Sequence, residues 1–150
     1  RRFDNSRFIT REILTELIEL ARLPGSASNR QLLRFYLSNT DSDNTTIFSC
    51  LKWAGYLTDW EHPVPDERPS AYIVILKPAD ISAYIGHDTG IACQSILLGA
   101  TELGLGGCMF GSVDRQRLKE QLKLPSDYEI ELVIALGKPI EKVQIDHLIE

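Results

Sequence analysis

The sequence predicts an α+β domain of two or three layers, and three observations point to it. Segments with helical spacing, of unequal length, separate three or four β-rich segments. Strands and helices do not alternate strictly, which disfavours a doubly wound parallel sheet. One segment, Ala71-Tyr-Ile-Val-Ile-Leu-Lys77, is a β-branched run of the kind found where a strand is covered on both faces, so it belongs at a sheet centre. With 150 residues, 43% apolar and 25% charged, the chain has the size and composition of one globular domain, which excludes a disordered chain.

Taken in order, Thr10 is an N-cap for a helix in which Ile13, Leu14, Leu17, Ile18 and Ala21 share one face, ending at Pro24-Gly25. A small polar loop, 25–31, leads to a half-buried strand in which Leu33, Phe35 and Leu37 alternate with Arg34, Tyr36 and Ser38. Asn39 to Asn44 reads as a turn cluster. A shorter helix follows, carrying Ile47, Phe48, Leu51 and Ala54, and then the aromatic segment Trp53 to Trp60. Pro63, Pro65 and Pro69 exclude regular structure before the central strand. From an N-cap at Asp88 to about Leu103 runs a helix apolar or small almost all round, as expected between a sheet and a second subunit. The glycine run 104–107 stops it, Cys108 to Phe110 is extended, and Asp114 caps a helix with Leu118 and Leu122. Ile130 to Leu136 is the last strand, and the tail from Ile140 to Glu150 is not expected to form a core element.

Sixteen Lys and Arg against twenty-one Asp and Glu give a net charge of −5, which argues against nucleic acid as a partner. No apolar run approaches the roughly 18 residues that a membrane-spanning helix needs. Cysteines 50, 93 and 108 are odd in number and lack a Cys-x-x-Cys pair, which fits a reducing compartment, so the expected location is cytoplasmic. The chain starts at Arg1 rather than Met, and the single domain 1–150 is expected to be cropped at both ends.

Several motifs bear on chemistry. Glycines 104 and 106 would need a third at Met109 to make a dinucleotide fingerprint, and the Gly106 to Gly111 spacing has no following lysine for a phosphate loop. Gly111 and Ser112 can instead present backbone N–H groups to a flat ligand, or the turn before them is a plain helix cap. Ser26, Ser28, Asn29 and Gln31 have the chemistry to bind a heteroaromatic edge or a ribityl chain, or simply to form a turn. Arg1 and Arg2 are either anion ligands or solvated cations. Trp53, Tyr56 and Trp60 wall a planar ligand or fill a core or an interface. His62, His87 and His147 lack companions at ligand spacing, so no metal is expected, and Cys108 reads as a small buried residue rather than a nucleophile.

In order along the chain, these pieces resemble the FMN-dependent nitroreductase family. Arg1-Arg2-Phe3 is similar to the end of that family's Arg-Arg-Ser-x-Arg-x-Phe motif, and 25–31 to its Pro-Ser-x-x-Asn-x-Gln-Pro-Trp loop. Gly25 here takes the proline position, and Leu32-Leu33 the place of Pro-Trp. Gly86-His-Asp-Thr-Gly-Ile-Ala-Cys-Gln94, running on to Gly104-Leu-Gly106, resembles the family's Asp-x-Gly-x-Ala-x-Gln helix and Gly-Leu-Gly ending. Cys108 to Val113 resembles the segment at the flavin edge, and Val133 to Pro139 the last core strand. The upstream Arg and Ser of the first motif are missing, and no arginine follows Pro139, where Lys138 or Lys142 would have to substitute.

The resemblance implies a three-layer α/β/α sandwich with a mostly antiparallel sheet and a domain-exchanged homodimer. It implies FMN as cofactor, held by Arg1, Arg2, Ser26, Ser28, Asn29, Gln31, Gly111 and Ser112, with the 26–31 loop reaching the flavin of the partner. It also implies hydride transfer from NAD(P)H through flavin N5 to a nitroaromatic, a quinone or a flavin by a ping-pong mechanism, with no catalytic side chain. The rival readings are a non-catalytic flavin-binding or dimeric interaction module, and a flavin enzyme with a different reaction such as dehalogenation.

Overall fold

The computed structural model describes residues 1–81 and 85–144. His147 and the end of the tail lie outside the described residues. In chain order the elements are β1 (Phe3–Asp4), α1 (Arg11–Arg22), β2 (Arg34–Ser38), α2 (Asp41–Ser49), β3 (Ala71–Pro78), α3 (Gly86–Glu102), β4 (Gly106–Phe110), α4 (Arg115–Gln121) and β5 (Tyr128–Pro139). The sheet runs β1-β5-β3-β2, with β4 also paired to β5, and every ladder among the described residues is antiparallel.

Because successive side chains of a strand point to opposite faces, β3 feeds two cores. Ala71, Ile73 and Ile75 pack with Leu14 and Leu17 of α1 and with Cys93, Ile96 and Ala100 of α3. Tyr72, Val74 and Leu76 pack with Ile47 of α2 and Leu118 of α4. Helices therefore cover both faces of the sheet, giving the three-layer α/β/α sandwich with an antiparallel centre, and β3 is the buried middle strand expected of its composition.

On β5 the alternation breaks once. Ile75 faces Leu132 but Leu76 faces Ile130, so Glu131 is an extra residue, a bulge. Its effect is to turn Ile130 toward the same core as Val133 and Ala135. Arg115 holds the bulge from α4: Nε donates to Ile130 O at 2.9 Å and Nη2 to Glu131 O at 3.0 Å. Arg115→Ala should cost about 1 kcal/mol in urea unfolding, less than is usual for bonds from a charged donor because the side chain is exposed. An unchanged midpoint would mean that packing alone keeps the bulge.

Several boundaries differ from expectation. Residues 39–44 are not all turn, because Asp41 already begins α2. Thr40 Oγ1 accepts from Asp43 N at 3.3 Å, and Asp41 and Asp43 sit in the first turn, where carboxylates suit the helix dipole. The same polar residue types make turns and helix starts, so composition alone did not separate them. The helix ends at Ser49, leaving Leu51 to bridge Val113. The cap of α3 is Ile85 rather than Asp88, which lies inside the first turn. Only Gly104, at φ +69°, ends α3 in the left-handed region. Gly106 and Gly107 are already in β4, and a Cβ on Gly107 would come within 2.9 Å of Ala135 O and 2.6 Å of the Leu97 side chain. Finally, α3 is not buried all round within this chain. Ile91 and Leu98 are 44% and 62% exposed on the face away from the sheet.

Candidate functional site

Arg1 stands just before β1, which joins the end of β5. Its guanidinium lies over the ring of Tyr56, 5.1 Å from the centroid. Cys108 of β4 is close enough to feel the Arg1 charge, yet burial pushes its thiol above the usual range, in keeping with an inert cysteine. Cys93, buried in the other core, is pushed up to about 11 by the same cause.

Two residues beyond Cys108, Phe110 packs edge-on to Trp53 with ring centroids 4.6 Å apart. Gly111 and Ser112 follow directly. Their N–H groups have no acceptor among the described residues, and a Cβ on Gly111 would meet nothing within 4 Å. The chain there is fixed from behind. Lys52 N donates to Ser112 O at 3.1 Å and Asp114 N to Cys50 O at 2.9 Å. This pairing borders an open cavity of about 470 Å³ lined by Ser49, Lys52, Gly111, Ser112 and Asp114, among others. Two orphan donors beside open space, with a cation on the same chain, suit a flat ligand with an electron-rich edge.

The 25–31 loop is organised differently. Ser28, Asn29 and Gln31 have φ of 53°, 53° and 50°, a conformation costly for residues bearing a Cβ. Gln31 N donates to Ser26 Oγ at 3.0 Å, and Gln31 Nε2 to Asn29 Oδ1 at 3.1 Å. The loop is pinned to α3 by Asp88, 7% exposed, whose Oδ1 accepts from Ala27 N at 3.0 Å. Sequence reasoning took Asp88 for a cap and missed this anchor. The one available signal was its place a few residues inside an apolar helix, where a carboxylate needs a partner. Asp88→Ala should leave Ala27 N–H unpaired and speed amide exchange of the loop by roughly tenfold, at a cost of about 1–3 kcal/mol. Unchanged exchange would remove the anchoring role.

Within one chain Arg1 and the 26–31 loop do not meet. Asp88 lies in the first turn of α3, whereas Gly106, packed against Pro139 and hence beside β1, follows its C-terminus. At 1.5 Å per residue the helix between them is about 25 Å long. Arg2 forms a two-pronged ion pair with Glu67. Lys138 reaches Asp4 at 3.7 Å. Among the described residues no His, Cys, Asp and Glu side chains gather to hold a metal, and no helix is long and apolar enough to cross a membrane.

A family model for the nitroreductase family matches residues 1–138. The chain belongs to the nitroreductase family. Among solved nitroreductases, the FMN-dependent nitroreductase of Clostridium difficile R20291 aligns with a TM-score of 0.77 over 97% of this chain and 85% of its own, at 22% identity. The nitroreductase family protein of Streptococcus pneumoniae TIGR4 gives 0.78 over 100% and 92%, at 14% identity. That of Clostridium novyi NT gives 0.72 over 92% and 78%, at 25% identity. In sequence, Protein DrgA of Synechocystis is 38% identical over 52 residues, a match spanning 35% of this chain and 25% of that protein. At identities this low the structural likeness speaks for the nitroreductase fold, and what each residue does must come from this chain's own geometry.

Proposed function

We propose that this chain is one protomer of an FMN-dependent oxidoreductase that takes a hydride from NAD(P)H and delivers it to a nitroaromatic, a quinone or another flavin by a ping-pong route. The observation that carries the reading is the pair of unpaired N–H groups at Gly111 and Ser112 beside open space, in a nitroreductase fold with Arg1 on the same chain. FMN, when bound, supplies a ring that accepts and returns two electrons as hydride at N5.

The protein's part is to bind, orient and tune. The Gly111 and Ser112 N–H groups would donate to an electron-rich edge of the FMN ring, with no side chain at Gly111 to block the approach. Arg1 would supply positive charge to the ring, favouring its reduced, anionic form. Arg2, through Glu67, keeps β1 and hence Arg1 in place. Since one chain keeps Asn29 and Gln31 about a helix length from Arg1, they serve the cofactor of a second protomer. A homodimer, domain-exchanged as in the family, covers the exposed Ile91 and Leu98 of α3 and brings Ser26, Ser28, Asn29 and Gln31 to the partner's site.

Full-length protein should purify yellow and release FMN rather than FAD when denatured. Steady-state oxidation of NAD(P)H with menadione should give parallel double-reciprocal lines, since donor and acceptor share one flavin face. Colourless protein that binds no added FMN would overturn the reading, and intersecting lines would overturn its single-pocket form.

A further inference from the structure

We propose that the turn Ala54–Leu57 is the acceptor-facing wall of this site, and that Tyr56 selects flat, electron-poor aromatic acceptors by stacking on them. The proposal rests on the FMN reading above and names a specificity residue within it.

The segment spans the two places where one chain can hold the cofactor. At one end Trp53 is anchored against Phe110, the residue before Gly111 and Ser112, and Trp60 closes on Trp53 with centroids 6.4 Å apart. At the other end Tyr56 lies under the Arg1 guanidinium. A ligand held at both Arg1 and Gly111 would therefore have this segment for a neighbour. Its shape is built rather than loose: Leu57 N donates to Ala54 O at 2.8 Å, and Ala54 is held at φ +31°. Despite this order, the tip leaves Tyr56 69% exposed and Leu57 37% exposed. Trp53, by contrast, is 7% exposed and serves as the root.

The chemistry follows from the ring. An aromatic face is electron-rich and attracts positive charge, and the seat of Arg1 over Tyr56 is that attraction at work. The same quadrupole favours offset stacking with an electron-poor ring, such as a quinone or a nitroarene, over a saturated or non-planar acceptor. Leu57 adds an aliphatic flank without a polar demand on the substrate.

Tyr56→Ala, Tyr56→Phe and wild-type holoprotein should be compared in three measurements. These are the FMN Kd from flavin fluorescence, the menadione Kd from the flavin difference spectrum, and the ratio of kcat/KM for menadione to that for ferricyanide, which cannot stack. With Tyr56→Ala the FMN Kd should stay within about twofold, while menadione binding and the ratio fall by about fivefold to tenfold, the range for one lost aromatic pair. Tyr56→Phe should restore both. An unchanged menadione Kd in Tyr56→Ala, with FMN bound as in wild type, overturns the selector role alone. Loss of FMN by Tyr56→Ala would make Tyr56 a cofactor holder and likewise sink the proposal. Failure of the wild type to bind FMN would instead sink the reading beneath it.

Discussion

Mixed dimers of Arg1→Ala and Asn29→Ala protein should recover activity that neither variant has alone. In the proposed assembly each site draws Arg1, Gly111 and Ser112 from one protomer and the 26–31 loop from the other. Each variant by itself spoils both sites, and losing one bond to a charged or polar ring edge should cost roughly tenfold or more in turnover. When the two are co-expressed and mix at random, about half the dimers are mixed. In each of those, one site carries both defects and the other neither, so about a quarter of all sites are restored. The check is FMN content and NAD(P)H–menadione turnover of the mixture against each parent. Activity no higher than the parents' average would confine Asn29 to holding its own turn, where it already accepts from Gln31 Nε2.

Trp53→Ala should show the largest loss of stability. The side chain is buried against Phe110, Phe48 and Trp60, and truncating such an aromatic costs about 3–5 kcal/mol. At about 2–4 °C per kcal/mol for a domain of this size, the melting temperature should fall by roughly 10 °C. Trp53→Phe should cost much less. It keeps an aromatic against Phe110 and removes an indole N–H that is buried without a partner among the described residues. Urea and thermal unfolding of the two variants would decide it. A loss under about 1 kcal/mol for Trp53→Ala would show that the 53–60 segment contributes little to the core and moves independently of β4.

The layers of the fold were legible because they rest on periodicity: Leu14 and Leu17 at helical spacing, and Ala71 to Leu76 as an unbroken apolar strand. The N-caps at Thr10 and Asp114 were legible because a short oxygen-bearing side chain before a helical pattern has few other uses, and both accept from the third residue on. What escaped was set by distant partners. Thr40 to Asn44 could open a helix or make a turn, and the helix was favoured by Asn44, which bonds Ser70 O and Ser38 Oγ across the fold. β1 is two residues long and exists through its register with Lys138 and Pro139. For the candidate site the resemblance offered a set of residues and no arrangement. No local pattern reveals that Tyr56 meets Arg1, that Asp88 meets Ala27, or that Arg2 is committed to Glu67.

The bulge at Glu131 makes β5 a strand with two reading frames. Residues before it and residues after it obey opposite rules for which parity faces which core. This is therefore a position where β5 can lose a residue without changing which side chains reach which core. Replacing Glu131 gives up an ion pair with Lys77 at 3.6 Å but keeps the backbone that Arg115 grips. Deleting Glu131 would join the two frames into one regular alternation: Ile130, then directly beside Leu132, would still face the core it shares with Val133, and only the grip of Arg115 on the bulge would be lost. Among relatives, a one-residue gap in an alignment should fall here more readily than elsewhere in β5.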